Sequence, residues 1–280
     1  MDHICKYNES GIIFVLYLFY SMVLSAACCL NRRAPFDQES NQEHSVLRSI
    51  LTQGAVSRAH AALEVLCTLF GFGSPPVLLL VLKATNTILS GSAALLLVHP
   101  GLFDAKDLNF YTANEGDNPT LRYFLESCGY EAVPAHADVV RTFYSDSVRS
   151  ILAYRRVVGS VSTHVSVVFV YPPTPVAAVV EFHSTLVMNY LSWYGMVVLY
   201  PELTLFRQGV VIQGDSPSLR GCVAEYERRG FHFLTPMVPS LRGERSLQDD
   251  GVLILSFRGE SEDVRSLVEE FEWSLDYDYY

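Results

Sequence analysis

Apolar residues recur at helical spacing from Val46 to Phe70, through Leu47, Ile50, Leu51, Ala55, Ala59, Ala62, Leu63 and Leu66. The spacing predicts a helix over 46–70, with Ser45 as its N-cap. Gly71-Phe72-Gly73-Ser74-Pro75-Pro76 ends that helix and opens a second over Val77–Ala84, because proline is tolerated in a first helical turn. A short β-type run, Thr87–Ser90, then stops at Gly91-Ser92. It is followed by a small-and-apolar helix over Ala93–Val98 and a strand over Asp107–Tyr111. Asn118-Pro119-Thr120 starts a helix over Leu121–Cys128 that Gly129 closes. Val148–Val157 and His164–Tyr171 read as two strands of a hairpin around Gly159-Ser160. Beyond them come a helix over Val176–Phe182, a strand or helix over Thr185–Ser192, a helix over Ser218–Arg229 and a strand over Val252–Phe257. The last twenty residues read as an acidic helix or a loose tail.

The chain opens differently. Residues 12–30 run for nineteen positions without a charge and are followed at once by Asn31-Arg32-Arg33. Three readings stand side by side: a membrane span that leaves the body in the cytoplasm, a secretory signal, or a non-native extension. Residues 31–48 are polar and read as a linker. The expected organisation is an apolar segment with linker over 1–45, a folded domain over 46–258 and an acidic tail over 259–280.

Composition narrows the function classes. The 280 residues are 50% hydrophobic and 18% charged, and the mean hydropathy is +0.21, which excludes wholesale disorder. Net charge is −10, of which residues 260–280 alone hold −7. With three lysines against seventeen arginines and this acidic balance, no broad basic face for long nucleic acid is expected. Six cysteines without a C-x-x-C pair or zinc spacing read as scattered thiols.

The densest chemical signal lies between Thr87 and Tyr111. Ile88-Leu89-Ser90-Gly91-Ser92 is followed, after fourteen residues, by Asp107-Leu108-Asn109-Phe110-Tyr111. A Gly-Ser turn leading into a helix offers backbone N–H groups and a hydroxyl to a phosphate. Two residues at i and i+2 of a strand share a face, and carboxylates so placed can hold Mg²⁺. Farther on stand Glu181-Phe182-His183-Ser184 and the helix end Tyr226-Glu227-Arg228-Arg229-Gly230-Phe231. Together these segments resemble the nucleotidyltransferase-fold proteins found in fungal genomes, in which a strand ends in Gly-Gly or Gly-Ser and the next carries Asp-x-Asp. The resemblance spans about residues 75–235.

It implies an α/β (mixed α+β) fold with a short mixed sheet flanked by helices. Gly91, Ser92 and Lys106 would bind a nucleotide, and Asp107 with Asn109 would form the catalytic pair, Asp107 holding Mg²⁺. The chain departs from that pattern at two points: Asn109 stands where the second Asp belongs, and His183 where a Phe-Asp carboxylate is expected. Glu181 or Asp104 would have to supply the missing charge. The expectation is therefore a degenerate family member that binds a nucleoside triphosphate or a protein partner. An active Mg²⁺-dependent transferase onto a protein, small molecule or RNA end is the alternative. Membrane association would run through residues 12–30.

Overall fold

The computed structural model describes residues 54–114, 116–134, 146–212, 216–234, 243–257 and 264–275. The apolar segment over 12–30, the linker, Ser45 and the first turns of the helix predicted from Val46 lie outside them, as do both ends of the acidic tail. Everything described below belongs to one compact unit, residues 51–280.

Helix α1 (Ala55–Phe70) buries the stripe Ala59, Leu63, Leu66 and Phe70, and stops at Gly71 in a left-handed conformation. Helix α2 (Pro75–Thr85) starts on its prolines and closes at Asn86, φ 48°. Strand β1 (Thr87–Ser90), helix α3 (Ser92–Val98) and strand β2 (Asp107–Thr112) follow. Helix α4 (Pro119–Ser127) begins at Asn118, where one side chain serves two elements. Its Oδ1 accepts from the Leu121 N–H at 3.2 Å, and its Nδ2 donates to the Thr85 carbonyl at 3.1 Å.

Then come β3 (Glu131–Val133), β4 (Val148–Val158), β5 (Val161–Val170), helix α5 (Val176–Val180), a 3₁₀ turn over Thr185–Val187, β6 (Asn189–Ser192) and β7 (Gly195–Val198). The chain continues through α6 (Pro201–Thr204), β8 (Gln208–Val210), α7 (Pro217–Arg228), β9 (His232–Leu234), β10 (Glu244–Ser246), β11 (Leu253–Ser256), a 3₁₀ turn over Val264–Leu267 and β12 (Glu272–Ser274).

Eight strands join in the order β11-β7-β6-β1-β2-β5-β4-β3, all antiparallel except β2 with β5. The sheet is mixed, as expected, but larger than the short one that the resemblance implies. Its two faces carry separate cores because side chains alternate along each strand. Leu89, Leu108, Phe110, Val165 and Val167 point into a core shared with α1, α2, α3 and α4. Ile88, Tyr111, Val168, Tyr190 and Val197 point to the other side, under α5, α6 and the C-terminal segments. Thr185–Ser192, readable as either strand or helix, is a 3₁₀ turn followed by a strand.

The tail is more ordered than a loose end across its described part. β12 pairs with β10, and the Trp273 indole N–H donates to the Tyr200 hydroxyl at 2.9 Å. Arg245 stacks over both Tyr200 and Trp273 and is bonded to Asp249, which anchors this segment to the second core. Cys67 is buried, Cys128 and Cys222 are half-buried, and all three are free. Among the described residues no single helix is long and apolar enough to cross a membrane. Helices α1 and α2 reach that composition only as a pair bent by 85°.

Candidate functional site

Antiparallel pairing of β1 with β2 sets Ser90 opposite Asn109 and so brings the Gly91-Ser92 turn beside the second strand. Gly91 sits at φ 81°, ψ −148°, a region open essentially to glycine alone. A Cβ there would lie 3.5 Å from Asn109 Nδ2, so the turn and the strand are in direct apposition. Ser92 is half-buried as the first residue of α3, and Ser90 is fixed beneath the turn by donating to the Asn189 carbonyl. Asp107 and Asn109 share the face of Tyr111.

The neighbour on the other side of β2 decides the chemistry. Parallel pairing places His164 opposite Asp107 and Ser166 opposite Asn109. Across three strands the positions flanking Asp107 are therefore Ser90, Asn109, His164 and Ser166, and none is a carboxylate. Asp107 is open to solvent at the head of its strand, yet burial on its protein side pushes its carboxyl above the usual range. Arg229 opposes that shift most strongly among its charged neighbours, followed by His164 and Lys106. The one acid of the pair thus faces three cationic or protonatable groups.

Arg229 is held in place rather than solvated. As half of an Arg-Arg pair at a helix end it reads as an exposed charge, but its side chain is only 18% exposed. The guanidinium lies over the Phe103 ring at 4.7 Å and the Tyr226 ring at 5.1 Å, and its Nε donates to Glu225 Oε1 at 3.1 Å. Gly230 turns the chain so that Phe231 is fully buried against Tyr226, Phe103 and His99. The Tyr226–Phe231 motif therefore builds an aromatic floor that also contacts Leu95 of α3.

His183 joins this floor. Its ring stacks on Tyr226 at 6.0 Å, and its Nε2 is buried without a hydrogen-bond partner among the described residues. Burial lowers its pKa to about 4, so it is neutral near pH 7.

The other candidates do not converge on Asp107. Glu181 accepts a hydrogen bond from Ser147 at 2.7 Å, and the Ser147 carbonyl accepts from the Tyr171 N–H. Tyr171 follows the far end of β5, seven residues from the position opposite Asp107. At about 3.3 Å per residue that is roughly 20 Å of strand, far beyond a shared metal ion. Asp104 lines a groove with Arg58, Val65 and Leu69 of α1, on the helical side of the sheet. Neither residue supplies the missing charge. Lys106 is exposed and adjoins Asp107, where it can pair with that acid or meet an incoming anion.

The Mg²⁺ that the resemblance implies does not fit these residues. Among the described residues, no three His, Cys, Asp or Glu side chains form a metal-binding group. A neutral Asn109 and a lone Asp107 beside Arg229 cannot neutralise a dication. Comparison with known proteins adds no guide: no family model matches the chain, and neither a curated protein nor a solved structure matches it.

Proposed function

We propose that this chain is a degenerate nucleotidyltransferase-like protein that binds a nucleoside triphosphate without metal-dependent transfer. The observation that carries this reading is the electrostatic setting of Asp107, which faces Arg229, His164 and Lys106 beside the Gly91-Ser92 turn. Groups of that sign suit the anionic ligand itself, whereas a catalytic dication needs converging carboxylates. The aromatic floor of Tyr226, Phe231 and Phe103 gives the same end of the sheet an apolar lining.

Equilibrium titration of the full chain with ATP, GTP, CTP and UTP, with and without Mg²⁺, tests the proposal. At least one triphosphate is expected to bind in the absence of metal. Mg²⁺ is expected to leave the affinity unchanged or weaken it, because it neutralises the phosphates that the cations attract, and no pyrophosphate should form. Binding that requires Mg²⁺, or pyrophosphate release, would restore the active-transferase reading.

A protein-binding role is the second reading, and a specific feature favours it. A groove of about 390 Å³ between α1 and the segment after α3 is lined by Ala62, Val65, Leu69, Leu96 and Phe103. Val65 and Leu69 on its wall are exposed. A folded protein that binds no triphosphate would shift the function to this groove.

A further inference from the structure

The β4–β5 hairpin runs past the strands that flank it. On its outer side β3 pairs only with Ala153–Arg155, and on its inner side β2 pairs only from His164 onward. The tip Val157–Ser162 therefore projects beyond Arg156 and Thr163, which pack on Gly71 and Tyr130, and among the described residues no strand borders it. Its tip is apolar: Val157, Val158 and Val161 are each more than half exposed around Gly159-Ser160.

Register places Val158 against Val161 on one face, while Val157, opposite Ser162, belongs to the other. Apolar residues on both sides suit immersion in an apolar medium. Just behind the tip stands exposed Arg155, with His164 opposite it in β5 and Glu131 opposite it in β3. The hairpin from Ser150 to Ser166 carries Arg155 and Arg156 and no acid, in a chain of net charge −10.

We infer that this hairpin tip is a membrane-insertion element that enters the headgroup–acyl boundary of a lipid surface. The two or three residues between the turn and Arg155 span roughly 7–10 Å at strand rise, which matches the depth to which interfacial elements enter that boundary. At that depth Arg155 reaches the level of the lipid phosphates, where it favours an anionic leaflet. Arg156 acts differently, because its guanidinium packs on Gly71 at the end of α1 and braces the ribbon.

Ser160→Trp in the full chain places an indole in the turn, while the two native tryptophans belong to the folded body. Its emission should shift to the blue on vesicles of phosphatidylcholine with about 30% phosphatidylserine. Partitioning should fall about fivefold on phosphatidylcholine alone, in line with one surface arginine. Val157→Asp with Val158→Asp should reduce the vesicle-bound fraction at least tenfold while leaving the unfolding midpoint unchanged, since both side chains are exposed. A tip tryptophan that stays unshifted on both vesicles overturns the inference. So does a charged-tip variant that sediments with vesicles as fully as the parent; residues 12–30 or another element would then account for the association. A tip that ignores vesicles but is quenched by a protein would be a protein-docking surface instead.

Discussion

Replacing Gly195 with alanine is expected to lower the stability of the fold by about 3 kcal/mol or more. Gly195 opens β7 directly after the two-residue Trp193-Tyr194 turn and lies opposite both Ser192 and Ser256. Its φ of 153° is one that side chains rarely adopt. A Cβ there would collide with the Leu255 carbonyl oxygen and sit 3.0 Å from Ser256 Cα. Because that obstacle is backbone, relief requires β11 to move away from β7, and with it the attachment of the C-terminal segments. Gly73→Ala provides the contrast: φ is +78°, but nothing lies within 4 Å, so only the backbone strain of about 1 kcal/mol remains. Urea denaturation of both variants measures the difference. Equal losses would mean that β7 and β11 are not packed as described.

Acid should destabilise the protein through two half-buried histidines. His99 and His183 both have pKa values lowered to about 4 by burial, against 6.5 for an ordinary histidine. The unfolded chain therefore binds protons between pH 6.5 and 4 that the folded chain refuses, so stability is full above 6.5 and is lost as pH falls toward 4. The shifts correspond to about 3 kcal/mol for each group.

The two sites differ in what they lose. His99 Nε2 lies 2.7 Å from the Thr204 carbonyl, to which its N–H donates, whereas the buried His183 Nε2 has no hydrogen-bond partner among the described residues. His183→Phe keeps a ring against Tyr226 and removes an unsatisfied nitrogen, so it should be neutral or stabilising at pH 7. It should also halve the histidine part of the loss between pH 7 and 4. Urea midpoints at pH 7, 5.5 and 4 for parent and variant provide the check. An unchanged pH slope in His183→Phe would show that this ring titrates normally and is solvated.

Local features of this fold are legible in the sequence to different degrees. Helix α2, strand β1, the Gly91-Ser92 turn and the β4–β5 hairpin are written in short-range pattern, through Pro75-Pro76 with the apolar run behind it, the short β-type run Thr87–Ser90 that stops at Gly91, and Gly159-Ser160. The three-residue strands β3, β8, β9, β10 and β12 carry too few positions for a period-2 signal, and their pairing comes from tertiary context.

The candidate site divides along the same line. Gly91 and Ser92 form the turn that leaves β1, and Asp107 and Asn109 lie on β2, the strand paired with it next in sequence, so a motif could bring them together. His164 stands opposite Asp107 only because β5 pairs in parallel with β2 after an excursion of some fifty residues, and nothing local announces that register. Arg229 escapes a reading of the sequence because a guanidinium at a helix end is usually solvated; the rings of Phe103 and Tyr226 bury it here. Glu181 fails as a substitute carboxylate because its short helix ends at the opposite end of β5.

Asp107→Asn tests the central claim most directly, because the two accounts of Asp107 predict opposite signs. If Asp107 is an acid set among cations that receive an anion, removing its charge takes a competing negative charge away from Lys106 and from Arg229, which stays bonded to Glu225, and should tighten triphosphate binding severalfold, with or without Mg²⁺. Loss of binding in Asp107→Asn, confined to solutions containing Mg²⁺, would contradict that account and identify Asp107 as a metal ligand.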